Sequence, residues 1–170
     1  MPSMSKIIYH GSATKLSKGD IMHPCKSFDS DLKCEISAVF ATPDFDYAKK
    51  FAITSLLKGH GMLWINNNKI IFQNLKHNIN PMFFVFEINS DGFQLDTREE
   101  YFYEGEKEIL NVHEFNLLTE AEKSHLEIYE FNEFDVSIDK NLTMPERIKN
   151  FDNMLEKKQY HKVDITSLIG

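Results

Sequence analysis

Met82-Phe83-Phe84-Val85-Phe86-Glu87-Ile88 is apolar at every position but one. An aromatic and β-branched run of this length predicts a strand covered on both faces. Asp91-Gly92, just beyond it, predicts a turn. Outward from this strand, residues 7–9, 36–41, 62–65, 69–72, 101–103, 109–115 and 126–138 also read as strands. Gly59-His60-Gly61 marks a turn, and Asn66-Asn67-Asn68 suits a hairpin connection. Helical spacing is rarer. Thr42 as N-cap and Pro43 at the first helical position predict a helix with Phe45, Ala48, Phe51, Ala52 and Ser55/Leu56 on one packed face. Thr119-x-x-Glu122 predicts the cap of a short helix. Thr143-x-x-Glu146, with Pro145, opens a C-terminal helix carrying Ile148, Phe151 and Met154/Leu155. Strands outnumber helices and show no βαβ alternation. The expectation is α+β with a mostly antiparallel sheet.

The 170 residues suit a single domain, 1–170. Hydrophobic residues make up 42% of them, 14 being Phe, which excludes disorder and a disulfide scaffold. A net charge of −7 argues against a general nucleic-acid coat, which wants clustered Lys and Arg. The charge is uneven, +4 over residues 1–85 and −11 over 86–170. Two readings follow: a solvated acidic face on the second half, or a positive cleft in the first that suits an anionic dinucleotide. Cys25 and Cys34 match no metal or redox spacing, so free thiols in a reducing compartment are expected. No apolar run reaches a membrane span of about 20 residues, and the N-terminus lacks a signal segment. The expectation is a cytoplasmic protein without membrane association, with leaderless export as an effector or toxin left open.

There is no P-loop, GxGxxG, GxSxG or HExxH motif. The 7 histidines never pair at i,i+2 or i,i+4, so no metal site is expected. The informative segment is Tyr9-His10-Gly11-Ser12, read as a strand entering a loop. A glycine there lets a ligand approach the backbone, whose N–H and C=O match a carboxamide such as nicotinamide. A turn with a structural histidine is the competing reading.

Three blocks together resemble the ADP-ribosyltransferase superfamily, which uses NAD as donor. His10-Gly11-Ser12-x-x-x-Leu16-x-x-Gly19-Asp20-x-Met22-x-Pro24 is similar to the opening of rifampin ADP-ribosyltransferases. Val39-Phe40-Ala41-Thr42, then Asp46-x-Ala48 and Phe51-Ala52, resembles the second block. Phe84-Val85-Phe86-Glu87 followed by Phe93-Gln94-Leu95-Asp96 resembles the third. Glu100-Tyr101-Phe102-Tyr103 is also similar to the Glu-Tyr-x-x-Tyr strand of poly-ADP-ribose polymerases. The resemblance covers 7–115, an NAD-handling core on a split sheet, with 116–170 as an extension that completes the sheet and adds a C-terminal helix.

The resemblance implies that His10 binds the nicotinamide ribose, Gly11 grips the carboxamide through its backbone, and Ser12 contacts the ribose side of NAD. Phe40 falls where the family carries its triad tyrosine, and Phe51 matches an aromatic that stacks on nicotinamide. Plain core packing is the competing reading for both. The acid is Asp96 by the rifampin-enzyme spacing or Glu100 by the polymerase pattern. Losing nicotinamide leaves an oxocarbenium-like ribose, and a carboxylate beside it stabilises the transition state above the ground state.

The implied activity is transfer of ADP-ribose from NAD to an acceptor, a small molecule or protein rather than a nucleic acid, without a metal. NAD glycohydrolysis and RNA 2′-phosphate transfer are alternatives, the latter disfavoured by only two arginines, Arg98 and Arg147. A catalytically silent NAD-binding domain is a further one, because Phe40 lacks the tyrosine hydroxyl. For His113 a structural role is expected, and the single Trp, Trp64, identifies nothing.

Overall fold

The computed structural model describes residues 6–29, 34–57, 62–64, 68–72, 75–95, 101–131, 143–156 and 160–170. In chain order these form β1 (Ile7–Ser12), β2 (Ile21–Met22), β3 (Cys25–Asp29), β4 (Cys34–Ala41) and α1 (Phe45–Leu57). Next come β5 (Met62–Trp64), β6 (Lys69–Phe72), β7 (Met82–Asn89), β8 (Gln94–Leu95), β9 (Tyr101–Tyr103), β10 (Lys107–Glu108) and β11 (Asn111–Asn116). The chain closes with α2 (Leu117–Ser124), β12 (Glu127–Phe131), α3 (Met144–Glu156), β13 (Tyr160–Val163) and a 3-10 turn at Ile165–Leu168. The fold is α+β and mostly antiparallel, as the strand-rich pattern predicts.

Two compact units share this chain. Unit 1 comprises Met1–Ile53 with Phe83–Glu114, and unit 2 comprises Thr54–Met82 with Phe115–Gly170. In unit 1 a three-stranded sheet has the order β1-β7-β11, and a second sheet runs β3-β4-β9-β8. The apolar run that opened the sequence reading is the middle strand β7, with Phe83, Val85, Phe86 and Ile88 fully buried. Each such side chain contributes about 1.5–3 kcal/mol by leaving water. β1 pairs antiparallel with β7 from Ile7↔Asn89 to Ser12↔Phe84. His10-Gly11-Ser12 is therefore strand, not loop, because each of the three keeps a cross-strand partner on β7.

Opposite residues of an antiparallel pair share a face, and successive residues alternate. Tyr9 and Gly11 thus lie on one face of β1, with Ile8, His10 and Ser12 on the other. The first face receives α1: Tyr9 meets the Phe45 ring edge-on at 5.2 Å, and Gly11 abuts the helix main chain. Thr42 is not the cap of this helix. Its N–H and C=O pair with Tyr9 in an isolated bridge, its hydroxyl accepts from the Asp44 amide at 3.1 Å, and the helix begins only at Phe45. Asp44 caps instead, its carboxylate accepting from the Asp46 and Tyr47 amides and its carbonyl from Ala48. The buried stripe of the helix runs through Ala48, Ala52, Ile53, Leu56 and Leu57. Phe51, assigned from its spacing to the packed face, is 43% exposed.

In unit 2 the sheet order is β13-β12-β6-β5. β12 runs parallel to β6, with Ile128 opposite Ile70, and antiparallel to β13. β5 and β6 form the expected antiparallel pair, Met62↔Phe72 to Trp64↔Ile70. Ile70, Phe72, Leu117, Ile128 and Leu168 form fully buried positions. The short helix predicted near Thr119 is α2, but its cap is Asn116, whose side chain accepts from the Leu118 and Thr119 amides. Thr143 does cap α3, accepting from the Glu146 amide at 3.4 Å. The strand expected over 109–115 begins only at Asn111, because the Ile109 amide and carbonyl are engaged by Asp20 and Gly19. Of the run 126–138, β12 accounts for 127–131, Leu126 precedes the strand as a buried residue, and 132–138 lie outside the described residues.

Candidate functional site

Three of the residues singled out in the sequence, Gly11, Phe40 and Phe51, meet at the edge of β1 that faces β4, within unit 1. The Tyr9 amide donates to the Thr42 carbonyl and the Thr42 amide to the Tyr9 carbonyl, both at 2.8 Å. This is a hydrogen-bonded pair of an antiparallel ladder, and the next such pair would be Gly11 with Phe40. That pair does not form. The Phe40 carbonyl instead accepts from His10 Nδ1 at 2.5 Å. β1 and β4 then belong to separate sheets.

The alternation of the ladder decides where the Gly11 peptide groups point. Tyr9 directs its N–H and C=O to β4, whereas Lys6, Ile8, His10 and Ser12 direct theirs to β7, as the 2.9 Å bond from the Ser90 amide to the Lys6 carbonyl marks. Gly11, two residues from Tyr9, therefore aims both groups at the β4 side. Among the described residues no β1–β4 ladder continues past the Tyr9–Thr42 bridge to pair this peptide.

A cleft opens at this point, lined by Tyr9, Gly11, Phe40, Ala41, Thr42, Tyr47, Ala48 and Phe51. It is half open to solvent, with a pinched interior that has room for one or two water-sized groups. The Tyr47 and Phe51 rings, one helical turn apart on α1, are 48% and 43% exposed at its mouth. Gly11, Phe40 and Phe51 are thus brought together around one cleft.

His10 reaches it differently from expectation. Its side chain lies on the other face of β1, stacked on Phe86 with the rings 8° from parallel and centroids 6.1 Å apart. Only its bond to the Phe40 carbonyl touches the cleft wall. Burial pushes the imidazole pKa below its ordinary value, against the raising effect of that carbonyl. Ser12 bonds locally, its hydroxyl accepting from the Thr14 amide at 3.0 Å. Asp96 and Glu100 lie outside the described residues.

Sequence reasoning passed over Tyr47. Its i,i+4 relation to Phe51 was the available signal, obscured because Phe51 was assigned to the packed face. It also passed over a polar cluster on the helix-bearing face of the sheet. Glu87 Oε2 accepts from Asn111 Nδ2 at 2.8 Å and pairs with His113 Nε2 at 2.6 Å. The Asn111 hydrogen bond chiefly holds the Glu87 carboxyl below its ordinary pKa; burial opposes it, and the His113 hydrogen bond and charge add to the lowering. Phe45 packs edge-on against His113 at 5.1 Å, so the expected structural role of this histidine has a concrete partner set. Cys25 is a free, exposed thiol.

Among the described residues, no three His, Cys, Asp or Glu side chains form a group able to hold a metal ion, and no helix is long and apolar enough to cross a membrane. In comparisons with known proteins, no family pattern, curated protein or solved structure matches this chain.

Proposed function

We propose that unit 1 binds NAD and that the protein is an NAD-dependent ADP-ribosyltransferase. One observation carries the reading: the Gly11 peptide directs its N–H and C=O, outside any β1–β4 ladder, toward a cleft walled by Phe40, Tyr47 and Phe51. A carboxamide offers the matching acceptor and donor on one edge, and an aromatic wall accepts the flat pyridine ring. The exposed Tyr47 and Phe51 rings at the mouth are the ones an entering flat ring meets first. No protonation of the leaving group is needed, since nicotinamide arrives cationic and departs neutral. The chemical demand is a carboxylate beside the ribose, and Asp96 and Glu100 are the candidates from the sequence.

The acceptor is a small molecule or a protein side chain, and 116–170 is the stretch from which its recognition is expected. Phe40 favours one second reading, a domain that binds NAD without turning it over, because a phenyl ring keeps the stacking surface and lacks a hydroxyl.

Incubation with NAD labelled in the adenosine half separates these outcomes. Label moving to an acceptor supports transfer, free ADP-ribose alone supports hydrolysis, and binding without consumption supports the silent domain. Given turnover, Asp96→Asn or Glu100→Gln lowers kcat with little change in KM. An activity indifferent to both substitutions overturns the acid assignment, and absence of NAD binding overturns the reading as a whole.

A further inference from the structure

We propose that His10 is a positioning residue, whose imidazole takes the place of the Gly11 amide on the Phe40 carbonyl and so keeps the β1–β4 ladder from closing. The register makes this specific. Tyr9 and Thr42 form a complete hydrogen-bonded pair, and continuing two residues along each strand would place the Gly11 amide on the Phe40 carbonyl. The Phe40 carbonyl already holds His10 Nδ1 at 2.5 Å. The imidazole is itself fixed, stacked on Phe86, the residue opposite it in the β1–β7 register. One side chain, anchored on the face away from the cleft, thus occupies the acceptor that would zip the strands together. The Gly11 N–H and C=O are left directed at the cleft they line.

The geometry requires the tautomer with hydrogen on Nδ1, because a carbonyl only accepts. Nε2 is then the unprotonated nitrogen. A ligand contact by His10 is not needed for this role, and its effect on a carboxamide ligand runs through Gly11. The inference deepens the NAD reading and rests on it for the identity of the ligand, but the wedge itself is open to test without any ligand.

Amide hydrogen exchange on the free protein reads it directly. In wild type the Gly11 amide exchanges fast beside a protected Tyr9 amide. In His10→Ala the vacated carbonyl is expected to capture the Gly11 amide, slowing its exchange about ten-fold, the scale of one added hydrogen bond. His10→Asn, whose carboxamide N–H stands near the Nδ1 position, is expected to keep Gly11 exchange near wild type. A histidine that merely stabilised the fold would instead make exchange faster throughout.

Unchanged or faster Gly11 exchange in a folded His10→Ala overturns the proposal. Should that variant fail to fold, nitrogen-15 shifts of the wild-type imidazole decide: hydrogen on Nδ1 supports the wedge, and hydrogen on Nε2 alone overturns it. NAD binding is measured alongside. The expected exchange pattern in a protein that does not bind NAD leaves the wedge standing and removes the NAD reading. NAD bound by a His10→Ala variant whose exchange is unaltered does the reverse.

Discussion

Gly11 and Ala48 meet main chain to main chain: a Cβ built on Gly11 would collide with the Ala48 carbonyl oxygen and stand 2.8 Å from the Ala52 amide nitrogen. Helix α1 can lie this close to β1 only because position 11 has no side chain. Neither obstacle is the flexible end of a side chain, so the strain has nowhere local to go. Gly11→Ala is expected to cost about 3 kcal/mol, at the upper end of overpacking changes. A urea midpoint within experimental error of wild type would remove this account of the glycine.

Phe51 separates binding from folding. At 43% exposure its ring contributes little to the core, so Phe51→Ala should change stability by less than about 1 kcal/mol. Loss of a stacking wall should weaken nicotinamide about ten-fold, the size of one aromatic contact. Titration calorimetry with nicotinamide, beside a denaturation curve, tests both halves. A large stability loss would return Phe51 to the core.

The Glu87 cluster predicts an acid limb of stability with a defined sign. Its folded pKa lies below the unfolded value, chiefly through the Asn111 hydrogen bond. Its stabilisation is therefore fully present above the ordinary Glu range and is lost as pH falls through the folded value. Stability measured by urea unfolding from pH 6 downward should decline more gently in Glu87→Gln than in wild type. Identical slopes would show that the Asn111 and His113 contacts do not favour the ionised form.

The cap of α2 offers a direct contrast. Asn116→Ala removes the acceptor for two amides and should cost about 1 kcal/mol. Thr119→Ala, inside the helix, should cost less than half as much. Equal losses from thermal unfolding would put the helix start elsewhere.

How far the chain was legible depended on whether a local signal had a single physical cause. The apolar run at 82–88 had one, burial on both faces, and β7 lies in the middle of its sheet. Thr143 had one too, with a free amide three residues on. The signal at Thr42 was equally clear but its backbone was already committed to Tyr9, a partner 33 positions away, so the cap passed to Asp44. Phe51 misled because a 3.6-residue period is shared by neighbouring stripes, and only packing decides which one faces inward. For the candidate site, the local pattern around Gly11 was visible. What sequence could not supply was the face on which His10 points, since that follows from pairing with Phe86, 76 positions later in the chain.

The interleaving of the two units bears on any attempt to shorten the protein. Residues 54–82 separate the two segments of unit 1, and they build β5 and β6, whose sheet is completed by β12 and β13 from beyond residue 126. A fragment ending at 115 would keep β6 but strip it of β12, uncovering the Ile70–Phe72 edge as a template for pairing with another chain. A smaller fragment for testing the proposed NAD site is better made by excision than by truncation: joining 53 to 83 through a flexible linker and stopping near 114, which removes β6 together with the strands that cover it.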